Sequence, residues 1–465
     1  MSGIQIFKVG SPQEPKFPDT YDVEKKAVLQ VTDIKNNRNK YYAIELHSAK
    51  NKYRVFTHYG RTDDLNTNPN AGVREARYCN SLTEAESIYS QIFREKTSAT
   101  KGYKEVNLAS SRIGSSKSVG TSSGTIDDKT LKKLADKTPA AKPIVTIATE
   151  VQDLVSYLYS EATNALVNTV NASITANGIE TPLGVLTIGQ IDKGQDVLDQ
   201  IATSFGKKKK DQEELIDLSG QFYTAIPHKF GRSRDAALSA VINTAEQIND
   251  KQDTLQLMRD MLNVNGKTNV LMNPEVEKKY QALDCHLSMI PHSSPDFKKI
   301  SEYVIKSQVG YKGIKVKNIF TIKREKEHKH FTTEIKNHKQ LFHGSRPKNW
   351  VGILSRGILL PKIVVTLGVT RTDAGWLGSG IYFGDAITVA TNYAGAGRRG
   401  TSFVALTNVA LGKMKDYSKI TYGLAKPPDG FDSCHGVRGT QFSDDEYVIY
   451  DHSQQRMDYL LEVSR

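Results

Sequence analysis

The sequence predicts an α+β multidomain chain, and three observations carry that prediction. The first part is rich in β-formers and aromatic residues and closes with one amphipathic helix, the middle is helical, and in the last part Gly and Pro punctuate short β-rich segments. At 465 residues the chain is long enough for more than one hydrophobic core. Hydrophobic residues make up 38% and charged residues 25%, which excludes a wholly disordered or fibrous chain. No apolar run reaches the length a bilayer requires, so no membrane partner is expected. Met1 to Thr20 reads as a tail without a secretory signal. Cys79, Cys285 and Cys434 are too scattered for a disulfide framework or a zinc cluster, so no metal is expected and a reducing compartment fits. The net charge of +12 favours a polyanionic partner such as DNA or RNA, although solvated surface lysines give the same surplus.

Residues 21–109 read as a small β-rich domain. Tyr41, Tyr42, Ile44, Tyr53, Val55 and Phe56 mark two strands, and Leu65 to Gly72 carries the Asn, Pro and Gly of a loop. Ser81 and Glu84 form a capping-box pattern ahead of a helix whose Ala85, Ile88, Tyr89, Ile92 and Phe93 share one face. Residues 110–140, densest in Ser, Gly and Lys up to Thr125, read as a flexible basic linker. Residues 141–265 read as a helical bundle broken at Pro182 and Gly184, with Lys207 to Lys210 a solvated loop rather than a nuclear-import signal. Residues 273–465 read as the β-rich domain, with strands expected at Val316 to Ile322, Gly380 to Phe383, Ser402 to Val409, Tyr447 to Asp451 and Tyr459 to Val463.

In that last region His343, Tyr382 and Glu446 each stand alone among apolar or glycine neighbours. Isolated polar groups in apolar strands must find partners or serve a ligand. Taken singly, each is an ordinary structural or surface residue. Gly395 to Gly400 matches a dinucleotide-binding fingerprint literally, but no βαβ unit surrounds it, so it reads as a loop.

Taken together, Leu341-Phe-His-Gly-Ser-Arg346, Gly380-Ile-Tyr-Phe383 with Asn392-Tyr393, and Glu446-Tyr-Val-Ile-Tyr450 resemble the His-Tyr-Glu signature of the poly(ADP-ribose) polymerase family. Thr181-Pro-Leu-Gly184 and Asp217 to His228 resemble its regulatory helical domain, and residues 21–109 its WGR domain, with Tyr59-Gly60-Arg61 in place of the naming tripeptide.

The resemblance implies an enzyme that uses NAD+ as substrate, releases nicotinamide and passes ADP-ribose to proteins, itself included, through an oxocarbenium-like state. It implies that Glu446, His343 and Tyr382 are catalytic and that Gly344, Ser345, Asn349 and Tyr393 bind NAD+. Gly344 would offer its backbone to the nicotinamide carboxamide, and glycine there would let the ligand approach. Tyr393 and Tyr382 would flank the nicotinamide ring, His343 and Ser345 would hold the adenosine-side ribose, and Glu446 would hold the nicotinamide ribose. Tyr59, Arg61 and Lys96 become the candidates for contacting damaged DNA, a base stacked on tyrosine being worth about 1–3 kcal/mol.

Lys117-Ser118 resembles an acceptor for self-modification aided by an accessory factor, though spacer is the simpler reading. A nuclear role in the response to DNA breaks, with a polymer product, is the expectation. Three departures leave alternatives open: Ala390 where the family has a carboxamide-binding serine, Val389 for a lysine, and Leu359 for an arginine. The alternatives are a mono-ADP-ribosyltransferase and a non-enzymatic DNA-break scaffold with an inactive NAD+ pocket.

Overall fold

The computed structural model describes residues 4–123, 147–170, 172–175, 178–207, 211–228, 233–268, 276–360 and 375–465. The chain divides into two compact units, residues 1–138 with 166–262 and residues 139–165 with 263–465.

The first unit is built on six antiparallel strands, β1 (Ile6–Lys8), β2 (Asp22–Asp33), β3 (Arg38–Ala49), β4 (Lys52–Arg61), β5 (Val73–Cys79) and β6 (Lys104–Glu105), in the order β1-β5-β4-β3-β2-β6. Helix α1 (Leu82–Thr97) covers one face, with Ala85, Ile88 and Ile92 packed on Leu29, Ile44, Leu46 and Val55. Its start is fixed as the capping pattern predicts: the Ser81 hydroxyl accepts from the Glu84 amide at 3.1 Å. The return bond comes from Asn80, whose amide donates to the Glu84 carboxylate at 2.7 Å.

The opposite face corrects the expected flexible linker over residues 110–123, the remainder of that segment lying outside the described residues. It buries Gln30, Glu45, His47 and His58, so it needs hydrogen-bonding partners. Residues 108–123 supply some of them. The Ser115 amide and hydroxyl both donate to the Glu45 carboxylate, at 2.9 and 2.5 Å, and the Gly114 amide donates to His58 Nδ1 at 3.2 Å. Burial pushes the Glu45 carboxyl up, but bonds from His47 and Ser115 outweigh it and hold it below its ordinary range. Strand β7 (Leu108–Ser111) opens this segment. Serine and glycine act here as compact donors to a buried carboxylate and a buried imidazole, so their abundance did not signal solvent exposure. Ser118, expected to be exposed, is 0% accessible, and its carbonyl accepts from Lys26 Nζ at 2.7 Å.

Strand β7 joins a small sheet in the order β7-β10-β9-β8, formed with β8 (Ser173–Thr175), β9 (Gly178–Glu180) and β10 (Gly184–Leu186). The break expected at Pro182 and Gly184 is thus a β-turn between two strands. Helix α2 (Thr149–Thr169) precedes this sheet, and its residues up to Ala165 belong to the second unit. Helices α3 (Ile188–Phe205), α4 (Gln212–Ala225), α5 (Arg234–Leu238) and α6 (Ala245–Thr268) follow it. Helix α4 lies against β2, where the Thr32 amide donates to the Thr224 hydroxyl at 2.8 Å. Lys207 pairs with Glu214, and the rest of the lysine run lies outside the described residues.

The second unit holds the chemistry. Its helices are α7 (Val276–Leu283), α8 (Pro295–Lys306), α9 (Glu325–His330), α10 (Trp350–Arg356) and α11 (Ile387–Ala394). Its strands are β11 (His286–Met289), β12 (Lys315–Lys323), β13 (His338–Ser345), β14 (Ile381–Gly384), β15 (Ser402–Ala410), β16 (Met414–Tyr417), β17 (Ser433–Gly436), β18 (Glu446–Ile449) and β19 (Gln455–Ser464). They form one mixed sheet in the order β11-β12-β19-β15-β13-β14-β18-β17-β16. Ile319, Phe342, Ile387, Val404, Leu461 and Val463 make its core. Gly395 to Gly400 is a loop, as expected. Arg398 pairs with Glu161 at 2.7 Å, and Arg399 with Asp153 at 2.8 Å, so its arginines are engaged by helix α2. All three cysteines are buried and free. No helix among the described residues is long and apolar enough to cross a membrane, and none of their His, Cys, Asp and Glu side chains cluster in a metal-binding group.

Candidate functional site

Strands β13, β14 and β18 lie side by side, and this adjacency gathers the three predicted polar residues. Phe342 pairs with Gly384 and Gly384 with Glu446, so one ladder line runs from the residue before His343 to Glu446. Tyr382 pairs with Val448, which puts Tyr382 and Glu446 on one face as diagonal neighbours.

His343 Nδ1 lies 2.9 Å from the Tyr382 carbonyl. A carbonyl can only accept, so Nδ1 carries the proton. Burial lowers the imidazole pKa against the opposing pull of that bond, so the ring is neutral near pH 7 and Nε2 is an acceptor. The Tyr382 hydroxyl donates to the Gly378 carbonyl at 2.8 Å and accepts from the Leu377 amide at 2.9 Å. Burial raises the phenol pKa, and Glu446 and Tyr393 are close enough to add to the rise. The hydroxyl therefore anchors the loop at 377–378, and what Tyr382 can offer a ligand is its ring. Glu446 is the perturbed carboxyl of the group: burial, helped by the neighbouring Asp444, pushes it up to about 7.

Gly344 follows His343 on β13. A Cβ at this position would run into the Ala390 carbonyl of α11, so the absent side chain is what lets that helix approach the strand. This gives glycine a packing reason that the sequence did not reveal. The Asn349 side-chain Nδ2 donates to the Ser345 hydroxyl at 3.1 Å, and Trp350 Nε1 donates to the Ser345 carbonyl at 2.9 Å. Tyr393 stands on α11 with 56% of its surface exposed. Val389 and Ala390 lie on the same helix, and Leu359 is exposed beyond α10.

Tyr59, Arg61 and Lys96 belong to the first unit. Tyr59 stacks on Tyr42 at 5.1 Å and donates to Glu75 at 2.9 Å, and Lys96 Nζ lies 4.8 Å from the Tyr42 ring on top of its pairing with Glu95. Arg61 pairs with Asp63 at 2.9 Å and donates to the Asn37 carbonyl at 3.1 Å. Sequence reasoning missed the Leu377 and Gly378 backbone that fixes Tyr382, and Asp444 beside Glu446. Nothing in their local pattern marks them.

The mixed sheet that carries this neutral histidine, buried tyrosine and half-buried glutamate on adjacent strands lies largely within a stretch similar to the catalytic domain of ADP-ribosyltransferases. The poly(ADP-ribose) polymerase catalytic domain matches residues 294–441, the regulatory domain of that enzyme 145–286 and the WGR domain 25–109. The chain belongs to the poly(ADP-ribose) polymerase family. The catalytic-domain match stops short of Glu446, whose place in the site is seen from its ladder with β14.

Protein mono-ADP-ribosyltransferase PARP4 of Mus musculus is 32% identical over 321 residues, covering 68% of this chain and 15% of the relative. Poly [ADP-ribose] polymerase 2 of Homo sapiens is 26% identical over 489 residues, covering 96% of this chain and 79% of the relative. Protein mono-ADP-ribosyltransferase PARP3 of Homo sapiens is 25% identical over 491 residues, covering 94% and 87%. The chain therefore spans less than a fifth of the PARP4 relative and most of the other two.

Proposed function

We propose that this chain cleaves NAD+ and transfers ADP-ribose to proteins, itself included, as poly(ADP-ribose), and that broken DNA stimulates it in the nucleus. The observation that carries the reading is Glu446, a carboxyl raised to about 7 on a strand beside Tyr382 and His343. The bond from ribose C1′ to the nicotinamide nitrogen breaks, and its electron pair leaves with neutral nicotinamide. An acceptor oxygen then forms the new bond to C1′ and loses its proton. The Glu446 carboxylate holds the 2′-hydroxyl of that ribose and stabilises the positive charge growing on the sugar. His343, neutral, accepts from a hydroxyl of the other ribose through Nε2, beside Ser345 and Asn349. The rings of Tyr393 and Tyr382 flank the nicotinamide, and the Gly344 backbone bonds its carboxamide.

Because the carboxylate is the working form, kcat/KM for NAD+ should rise with pH through a midpoint near 7. The positive nicotinamide ring favours the carboxylate in the complex, so the rise in kcat should lie lower. A profile flat from about pH 6 to 8 contradicts the role given to Glu446.

DNA contact rests on Tyr59, Arg61 and Lys96. DNA loosens the regulatory helices and opens the NAD+ site. Arg61→Ala should abolish stimulation by nicked DNA while leaving DNA-free activity in place, read as nicotinamide release with and without DNA. Stimulation of wild-type size in the variant removes Arg61 from this role. The deciding experiment is automodification with labelled NAD+, with and without nicked DNA, followed by gel sizing. A ladder of long products supports polymer. A single shift supports mono-ADP-ribosyl transfer, the reading favoured by Val389 and by relatives named as mono-ADP-ribosyltransferases.

A further inference from the structure

Helix α11 has little reason to hold itself together. It runs for eight residues, and four of its first five, Ile387, Thr388, Val389 and Thr391, are β-branched. Ala386 at its start makes no side-chain capping bond. An isolated helix of this length and composition is unstable in water, so other parts of the unit must fix it. The core does so on the inner face, through Ile387, Ala390 and Ala394. At the start, the Val309 amide donates to the Thr388 hydroxyl at 3.3 Å.

The last turn, which presents Tyr393, is held by Arg465. One guanidinium nitrogen, Nη2, donates to the Thr391 hydroxyl and to the Asn392 side-chain oxygen, both at 2.6 Å, and reaches the Thr388 carbonyl at 3.4 Å. A cation at a helix C-terminus also meets the negative end of the helix dipole. Arg465 directly follows β19, whose Val463 is buried in the same core and pairs with β12 and β15. The guanidinium is thus delivered from a strand whose own place is fixed.

We propose that Arg465 is a positioning residue for NAD+: it holds the final turn of α11 so that the Tyr393 ring stands where the nicotinamide stacks. The proposal rests on the role given above to Tyr393 and adds the group that sets its place. Through its contacts at Thr391 and Asn392, Arg465 acts two residues and one residue from the ring along the helix, and it touches no reacting atom.

The test uses the full chain with saturating nicked DNA and follows nicotinamide release. Arg465→Ala should raise KM for NAD+ about fivefold or more and leave kcat within about twofold, because ring placement serves binding. Arg465→Lys, which keeps the charge and one or two of the bonds, should fall between wild type and Arg465→Ala. In a Tyr393→Ala background, Arg465→Ala should add nothing, since the ring it positions is gone.

An unchanged KM, or an effect that adds in full to Tyr393→Ala, overturns the proposal. Hydrogen exchange supplies a readout that needs no turnover. Amides 391–394 should exchange about tenfold faster in Arg465→Ala, with β13 and β15 unchanged. Unaltered exchange there sinks the proposal even if the chain turns over no NAD+, an outcome that separately sinks the proposed function.

Discussion

Glu446→Gln is expected to lower NAD+ turnover by about 10²–10³-fold, the scale found when one preorganised charge-stabilising group is removed from an active site. The amide keeps the shape of the side chain and its place in the ladder with Gly384 and Gly436. It removes only the charge. The loss should therefore fall on kcat more than on KM.

The same variant should not be less stable than wild type, and the sign follows from the raised carboxyl. The folded-state value, about 7, lies above the ordinary 4.5, so the folded chain holds this proton more tightly than the unfolded chain. The stability it contributes is present below about 4.5 and is lost as pH rises through 7. At pH 8 wild type carries a poorly solvated carboxylate, and Glu446→Gln should be more stable by about 1–2 kcal/mol, allowing for partial solvent screening. Near pH 4.5 the two should unfold alike. Chemical denaturation at both pH values checks this, and a less stable glutamine variant at pH 8 contradicts the buried-acid account.

Gly344→Ala is the second large effect. The added methyl points at the Ala390 carbonyl, which is backbone and cannot rotate away. Either α11 retreats from β13 or the strand bends, and a bend carries the Gly344 backbone, His343 and Ser345 out of place relative to Glu446. Turnover should fall by about 100-fold, the scale of a misplacement near 1 Å, and stability by about 1–3 kcal/mol from overpacking. Ala390→Gly should not rescue the variant, because the obstructing atom is the carbonyl oxygen that every residue carries. Steady-state nicotinamide release and thermal unfolding of the two variants and their combination measure this. Wild-type turnover in Gly344→Ala would show that α11 and β13 need not be this close.

Much of this architecture was legible in the sequence because it follows local rules. Ser81 and Glu84 announced the start of α1, and the β-branched and aromatic runs at Val316, Ser402 and Tyr459 announced β12, β15 and β19. What escaped depends on partners far away in the chain. Strand β7 is only Leu108-Ala-Ser-Ser111, and its partner β10 lies some seventy residues on, so neither periodicity nor composition marks it. The burial of Glu45 and His58 is opaque for another reason. Polar residues on a strand read as solvent-facing until the donors that satisfy them, here Ser115 and Gly114, are seen in place.

The site shows the same division. His343, Tyr382 and Glu446 were ordinary residues singly and became legible only together, through the resemblance of their three segments to one family signature. The clash awaiting a side chain at 344, the anchoring of the Tyr382 hydroxyl and the hold of Arg465 on α11 are tertiary facts without a local signature.

The central claim, that this site grips NAD+ with Glu446 at the scissile ribose, is tested most directly by a crystal structure with a non-hydrolysable NAD+ analogue. The account predicts the nicotinamide between Tyr393 and Tyr382, its carboxamide on the Gly344 backbone, and the Glu446 carboxylate within hydrogen-bonding distance of the ribose 2′-hydroxyl. An analogue bound elsewhere, or bound here with Glu446 turned away from that ribose, would contradict it.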